Sequence, residues 1–264
     1  DAAFPWAGFT LTAGAAYGYT AGWTAFASDY TRYLPANTSK RALGWAAGLG
    51  NFASTTLIMG VGVLAFNALT GNPGDFWGIQ NPTAAFTGLF NSTFAAIVLL
   101  SIVIGSVSAN ILNVYSGAMS FLAMGFKFGF KTRRAIMVLI AGLAGGVLSF
   151  LGVQNGDVAH QLDSFLLVVS YWVSPWIAVV LTERILSKGK NAGERAVAPK
   201  NSWAGAAAFV IATAVSIWGF AAQVLYTGVF AKDSGLGDLT AVVGFVLASV
   251  LFVVFSKLDK NSKN

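Results

Sequence analysis

The chain has 264 residues, of which 56% are hydrophobic and only 10% are charged, with a formal net charge of +6. An ordinary soluble domain carries about 25% charged residues, so this composition excludes that class and indicates an integral membrane protein. The sequence contains no cysteine, which excludes disulfide bonds, thiolate-bound zinc and thiol nucleophiles.

Long neutral runs separate the few charged clusters along the chain. Each run can hold a helix of about 20 residues, the length needed to cross about 30 Å of hydrocarbon. The runs do not alternate with a period of two, so they indicate helices rather than barrel strands. Residues 76–91 are expected to form an external loop with a short interfacial helix. We predict an all-α integral membrane fold with seven transmembrane helices, near residues 9–27, 43–69, 93–124, 135–151, 164–181, 204–226 and 239–255.

The basic residues predict the orientation of these helices. All but Lys232 of the 16 Lys and Arg residues follow the first, third, fifth or seventh predicted span. The positive-inside rule then places those loops and the C-terminus in the cytoplasm, and Asp1 outside the cell. Because the positive charge is spread over four loops, we expect no nucleic-acid partner. An outside start without an initiating Met or a signal peptide leads us to expect the C-terminal part of a longer polytopic protein.

The first predicted span contains the stretch GAAYGYTAGW, residues 14–23. Its three glycines share one helix face, and such faces let two helices approach closely. Glycine also costs roughly 1 kcal/mol against alanine inside a helix, which suggests a second interpretation, a local unwinding near Gly18. Unwound backbone of this kind lines the substrate sites of many secondary transporters. Both interpretations stay open, and Tyr19 and Trp23 supply aromatic faces on which a planar ring can stack.

The third predicted span carries a cluster of polar side chains near its middle, formed by Ser106, Ser108, Asn110, Asn113, Tyr115 and Ser116. Asn110 and Asn113 lie near one helix face because they are three residues apart. Hydrogen bonds between helices are one explanation. We favour the other, a ligand site, because a carboxamide offers both a donor and an acceptor and suits the edge of a nucleobase. Ser106 and Ser108 are hydroxyl ligands for a sodium ion in this interpretation. Their alternative is back-bonding to helix carbonyl groups one turn earlier.

Later spans carry weaker signals. Gly142 and Gly146 in the fourth predict close helix packing, and Pro175 in the fifth predicts a bend. No acidic residue or histidine lies within any predicted span, whereas a membrane hydrolase or proton pump keeps such groups at depth. The single His160 is interpreted as a loop residue. We therefore predict no catalytic residue, no cofactor and no enzyme activity, and a ligand that is small, flat and mostly uncharged.

Two stretches resemble the motifs of a known family. GYTAGWTAFASDYTRYLP, residues 18–35, resembles the sixth-span signature of the nucleobase:cation symporter-1 family, whose members are permeases for cytosine, purines, uracil, allantoin and related compounds. NILNVYSGAMS, residues 110–120, is similar to the eighth-span motif of that family, which has an Asn before a Tyr-Ser pair. The purine/cytosine permease branch is the most similar. The resemblance covers nearly the whole chain, as spans six to twelve of twelve.

The family has a LeuT-type fold of two inverted five-helix repeats and two further helices. The resemblance implies that residues 1–264 are a single transmembrane transporter domain. In it, residues 1–184 are the second repeat and residues 185–264 form two peripheral helices. The first span here would open that repeat and be the broken one. The N-terminal half of the same protein would then be required to complete the site.

The resemblance also implies roles for the substrate-site residues. Trp23 matches the sixth-span aromatic position of the purine/cytosine branch, whereas other branches place it nearer Thr20. Trp23, Tyr19 and Thr20 therefore compete for stacking on the base, with Gly18 beside them. Asn113 matches the eighth-span Asn that bonds the base, and Asn110 completes the predicted set.

The coupling ion is implied less closely. Ser108 falls near the sodium-site hydroxyl position of the family, with Ser106 beside it. Val107 stands where sodium-coupled members carry a second hydroxyl group. The expected coupling ion is therefore a proton or sodium, and sodium is the only metal ion that we consider.

The implied function is secondary active import of a nucleobase, cytosine or a purine, by cation symport across the plasma membrane through alternating access. A first alternative is another LeuT-type carrier for allantoin, a vitamin or an amino acid. A second alternative is a non-transport membrane subunit or a membrane enzyme. That alternative would need acidic, His or Cys groups at depth in the missing half.

Overall fold

The computed structural model describes residues 5–69, 81–125, 128–155, 158–187, 202–223, 226–232 and 234–259. These residues are almost entirely helical, with one short bridge between Ala222 and Thr227. The first α-helix, Trp6–Gly22, is followed directly by a 3-10 turn, Trp23–Phe26. The α-helices, in chain order, are α1 (Trp6–Gly22), α2 (Ala27–Thr31), α3 (Lys40–Leu69), α4 (Pro82–Thr87), α5 (Ser92–Ala123), α6 (Phe130–Asn155), α7 (Val158–Leu186), α8 (Ala204–Phe220) and α9 (Thr240–Leu258).

Each of the seven predicted spans overlaps one helix of 17 or more residues, although several ends differ. Within the described residues, four helices are long and apolar enough to cross a membrane: Lys40–Leu69, Ser92–Ala123, Ser164–Leu186 and Thr240–Leu258. Ala204–Phe220 is equally apolar in character but shorter. A short helix, α4, lies where one was predicted before the third span. Its interfacial position stays a prediction, and residues 76–80 of the predicted loop lie outside the described residues. The chain is therefore a multi-pass, all-α integral membrane protein.

Polar residues start two of these helices. The Asn81 side chain accepts a hydrogen bond from the Ala84 amide at 2.9 Å, and Pro82 occupies the first turn of α4. The Asn91 side chain accepts from the Phe94 amide at 3.0 Å at the start of α5. Both arrangements satisfy amide groups that a helix leaves without a partner in its first turn.

The chain divides into two compact units, and the first contains α1, α7, α8 and α9. Alanines from α7, α8 and α9 pack together in its core, as in the fully buried group Ala178, Ala212 and Ala248. Small residues let helices approach closely where lipid supplies no hydrophobic driving force. Pro175 lies inside α7 without ending the helix, and a β-carbon at Gly244 of α9 would lie 3.0 Å from its ring.

The second unit contains α2 to α6, from Phe26 to Gln161. Here α5 packs against α6, and the Arg133 guanidinium donates to the Ala118 carbonyl oxygen at 3.5 Å. Most side chains of α3 and α5 are exposed within the described residues. The boundary between the two units in the sequence falls within the 3-10 turn. The predicted repeat boundary after residue 184 is a different kind of division and stays a prediction.

Candidate substrate site

The glycines of α1 form the surface on which α1 packs against α7. A β-carbon at Gly14 would lie 2.9 Å from a methyl group of Leu167, and one at Gly22 would lie 3.4 Å from Val169. At Gly18, which is buried, a β-carbon would overlap the Leu166 carbonyl oxygen. The close-packing interpretation of this face is therefore confirmed.

Unwinding near Gly18 is wrong, because α1 continues as a regular α-helix through Gly22. The change in backbone geometry comes one turn later, at Trp23–Phe26, where the chain forms a 3-10 turn. A 3-10 segment within a helical stretch often marks a hinge or a site of strain. The helix remains regular at the glycines because their close contact with α7 compensates for low helix propensity.

The predicted stacking residues lie at the end of α1. Tyr19 is 48% exposed, and Trp23 begins the 3-10 turn with its side chain half-buried. The Thr20 hydroxyl donates to carbonyl groups of its own helix, at 3.2 Å from Ala16 and 3.1 Å from Tyr17. Thr20 is thus occupied by its own backbone, whereas the two aromatic side chains present ring surface.

The predicted base-binding carboxamides lie on α5 in the second unit. Asn110 and Asn113 are both exposed. Asn110 borders a groove of about 710 Å³ between α5 and α6, whose lining includes Tyr115 and Arg134. The groove runs along Gly142 and Gly146, and no atom would lie within 4 Å of a β-carbon at either glycine. The close packing predicted at these glycines is therefore absent from the described part of the chain.

The predicted ion ligands, Ser106 and Ser108, precede both asparagines on α5. The Ser108 hydroxyl donates to the Ile104 carbonyl oxygen at 2.8 Å, which is the back-bonding alternative considered for it. Ser106 is exposed. A back-bonded hydroxyl keeps its lone pairs, so its oxygen still has the chemistry of a hard-cation ligand. Among the described residues, no cluster of three or more His, Cys, Asp or Glu side chains has metal-binding geometry.

A cluster of hydrogen-bonded tyrosine side chains, which involves the residues just after Asn113 in α5, was not predicted from the sequence. The Tyr30 hydroxyl of α2 lies 3.1 Å from the Ser116 hydroxyl of α5. Tyr33 and Tyr115 share a hydroxyl hydrogen bond at 2.6 Å. This bond is the main cause that raises the pKa of Tyr33 above its ordinary value. The hydrogen bonds join the SDYTRY segment to α5 across more than 80 residues of sequence, a pairing that local periodicity cannot reveal.

A buried carboxylate is the second feature that was not predicted. Asp238, 6% exposed, precedes α9 and accepts hydrogen bonds from the Ala222 amide at 2.8 Å and the Thr240 amide at 3.0 Å. It also accepts from the Tyr171 hydroxyl of α7. Gln223 in turn donates to the Tyr171 oxygen at 3.0 Å. An Asp immediately before an apolar run is a helix-start signal, and it was available in the sequence at DLTAVVG.

The predicted substrate residues thus fall into two groups, one in each compact unit. Gly18, Tyr19, Thr20 and Trp23 share the end of α1 and the turn after it. Asn110 and Asn113 share α5 with the two serines. Their joint role in one site stays a prediction.

Comparison with known proteins gives the family. Residues 3–244 match the family described as permeases for cytosine/purines, uracil, thiamine and allantoin. The "Putative purine-cytosine permease YxlA" of Bacillus subtilis is 29% identical in an alignment of 245 residues that covers 88% of this chain and 51% of that protein. The purine-cytosine permease fcyB of Emericella nidulans is 25% identical in an alignment of 260 residues that covers 93% of this chain and 50% of that protein.

A third relative, the purine-cytosine permease FCY21 of Saccharomyces cerevisiae, is 27% identical in an alignment of 267 positions that covers 91% of this chain and 47% of that protein. The chain spans about half the length of these curated relatives. No solved structure matches it significantly. Because the match extends over most of the chain, the protein belongs to the family of permeases for cytosine/purines, uracil, thiamine and allantoin, a family of transporters rather than enzymes.

Proposed function

We propose that the protein containing this chain imports a nucleobase, cytosine or a purine, by cation symport. The observation that carries this proposal is the family match over residues 3–244, together with relatives that are named purine-cytosine permeases. A membrane chain with seven long helices among its described residues, and without acidic side chains in its predicted spans, suits a neutral, planar solute.

The proposed mechanism is alternating access. The base stacks on an aromatic side chain at the end of α1, Trp23 or its competitor Tyr19, and its edge bonds to Asn113. The exposure of Asn113 and the 3-10 geometry at Trp23 support this arrangement. Base–aromatic stacking tolerates any planar ring, so the polar contacts at the edge would select the base.

The remaining parts of the proposal concern the ion and the surroundings. A proton or a sodium ion supplies the driving force, with Ser108 and Ser106 as the oxygen ligands if sodium is used. The N-terminal half of the same protein completes the site, in agreement with a chain that spans about half of its relatives. The protein acts in the plasma membrane with its C-terminus in the cytoplasm, as the distribution of basic residues predicts.

A second substrate class comes from the family description, which also names uracil, thiamine and allantoin.

The test of the proposed function is uptake of labelled cytosine by cells that carry the complete gene and lack their own base uptake. Adenine, hypoxanthine, uracil, allantoin and thiamine serve as competitors, with and without sodium and at two external pH values. We expect saturable uptake that a purine or cytosine suppresses. Suppression by thiamine or allantoin alone would overturn the assignment to cytosine and purines.

A further inference from the structure

Three consecutive residues before α9 contact two different helices of the first unit. The Thr10 hydroxyl of α1 donates to the Leu236 carbonyl oxygen at 2.5 Å. A β-carbon at Gly237 would overlap that hydroxyl oxygen and would lie 2.7 Å from the Ala7 carbonyl oxygen. The Asp238 carboxylate accepts from the Tyr171 hydroxyl of α7. The segment Leu236–Asp238 is called the clamp below.

On its α7 side, the clamp is held by the hydrogen bonds of a buried carboxylate. The Asp238 carboxylate is almost fully buried and receives three hydrogen bonds, two of them from backbone amides. Gln223 donates to the Tyr171 oxygen, which leaves the Tyr171 proton directed at Asp238. A buried carboxylate with a full set of donors is costly to disturb, because removal of one partner leaves a charge poorly compensated.

The α1 side of the clamp allows only glycine. Gly237 has a φ of +73°, and its α-carbon packs directly against the first turns of α1. A side chain there would meet both an unfavourable backbone conformation and the atoms of Ala7 and Thr10. Close backbone contact of this kind fixes the position of α1 along its own axis.

The part of α1 beyond Leu11 has little else to hold its axial position. Leu11 itself packs against the buried cluster of Leu167, Tyr171 and Ala221. Farther along, α1 approaches α7 at Gly14, Gly18 and Gly22, which allow close approach but have no side chains to interlock with the facing helix. From Thr10 to Trp23 the helix runs for about 20 Å, and it is regular up to Gly22. An axial shift at Thr10 would therefore pass directly to Tyr19 and Trp23.

We propose that the clamp sets the axial position of α1. Thr10, Gly237 and Asp238 are then positioning residues for Tyr19 and Trp23, the predicted substrate-binding side chains at the far end of that helix. This inference rests on the proposed nucleobase transport. It also gives the connection between α8 and α9 a role in substrate affinity, although it lies far along the chain from every predicted substrate residue.

The test is a set of variants in the complete protein, with KM and maximal rate of base uptake normalised to protein at the membrane. Thr10→Val removes the hydroxyl group with little change of shape, and Gly237→Ala adds the forbidden β-carbon. Each should raise KM about fivefold or more, the effect of one lost hydrogen bond, with little change in the maximal rate. The double variant should be no worse than the more severe single variant, because both changes break one contact.

The chain offers two matched controls. Gly235 has a φ of +64° and no atom within 4 Å of a β-carbon, so Gly235→Ala carries the same backbone strain without contact to α1. Thr12 lies on the same helix and is exposed, so Thr12→Val should leave KM unchanged. A KM unchanged by Thr10→Val and Gly237→Ala, or altered equally by Gly235→Ala, would overturn the positioning role.

Failure of the clamp and failure of the proposed function give different results. A wild-type protein that takes up no base contradicts the proposed function. The clamp is then judged by the midpoint of thermal unfolding of the purified protein. Additive effects of Thr10→Val and Gly237→Ala on that midpoint would show that the two residues do not share a contact, and would overturn it.

Discussion

Trp23 stands where regular α-helix gives way to the 3-10 turn, four residues after Tyr19, whose side chain is exposed. We predict that Trp23→Ala raises the KM of base uptake at least about fivefold, because stacking on one aromatic side chain contributes about 1–3 kcal/mol. Trp23→Phe retains a ring and should recover most of the affinity. An unchanged KM in Trp23→Ala, with a raised KM in Tyr19→Ala, would assign the stacking to Tyr19 instead.

The contact between Tyr30 and Ser116 joins the SDYTRY segment to α5. We predict that Ser116→Ala lowers the stability of the purified protein by about 0.5–1.5 kcal/mol, because Ser116 is buried and its hydrogen bond is lost. The measurement is a double-mutant cycle with Tyr30→Phe, read from the midpoint of unfolding. Independent, additive losses would show that the two hydroxyl groups are not coupled.

Within α1, the glycine face predicts a sharp contrast in stability between two glycine-to-alanine variants. Gly18→Ala should destabilise the protein by about 1–3 kcal/mol, because the new β-carbon overlaps the Leu166 carbonyl oxygen. The control is Gly8→Ala in the same helix, where no atom lies within 4 Å. It should be neutral or stabilising, since alanine is the better helix former. Equal unfolding midpoints for the two variants would contradict the packing of α1 on α7.

The positions of the helices could largely be predicted from the sequence, because hydrocarbon imposes long neutral runs. The predicted span 93–124 coincides with α5, Ser92–Ala123. The ends were less accurate where charge enters a helix: α6 was predicted from residue 135, but it begins at Phe130 and includes Arg133 and Arg134. Long basic side chains can reach the membrane surface from within a helix, so charge does not mark where the helix starts.

The predicted end of α8 was late for a different reason. The span was extended to residue 226, but the helix ends at Phe220, and Gln223 and Tyr226 exchange backbone hydrogen bonds. The polar contacts that decide the site were harder to predict. Asp238 with Tyr171, and Tyr33 with Tyr115, are pairs of residues far apart in sequence. Their pairing depends on how helices meet, which the periodicity of a single helix does not contain.

The distribution of basic residues along the whole chain predicts which loops face the cytoplasm. The start of α1 and the connection before α9 were both predicted outside, and the contact between Thr10 and Leu236 agrees that they share a side. Because this chain contains no cysteine, a cysteine introduced into it is the only thiol that these 264 residues offer for labelling. In intact cells, an impermeant maleimide should label Lys232→Cys and leave Lys257→Cys unlabelled until the membrane is permeabilised. The reverse pattern would invert the predicted topology.

Asn113 is the residue on which the proposed nucleobase site of this chain depends most. The measurement is uptake of labelled cytosine by cells expressing the complete protein, as wild type and as Asn113→Ala, with surface amounts matched. We predict saturable wild-type uptake that unlabelled cytosine or adenine suppresses, and loss of that uptake in Asn113→Ala. Full uptake by Asn113→Ala would contradict the site, and a wild type that takes up no base would contradict the function.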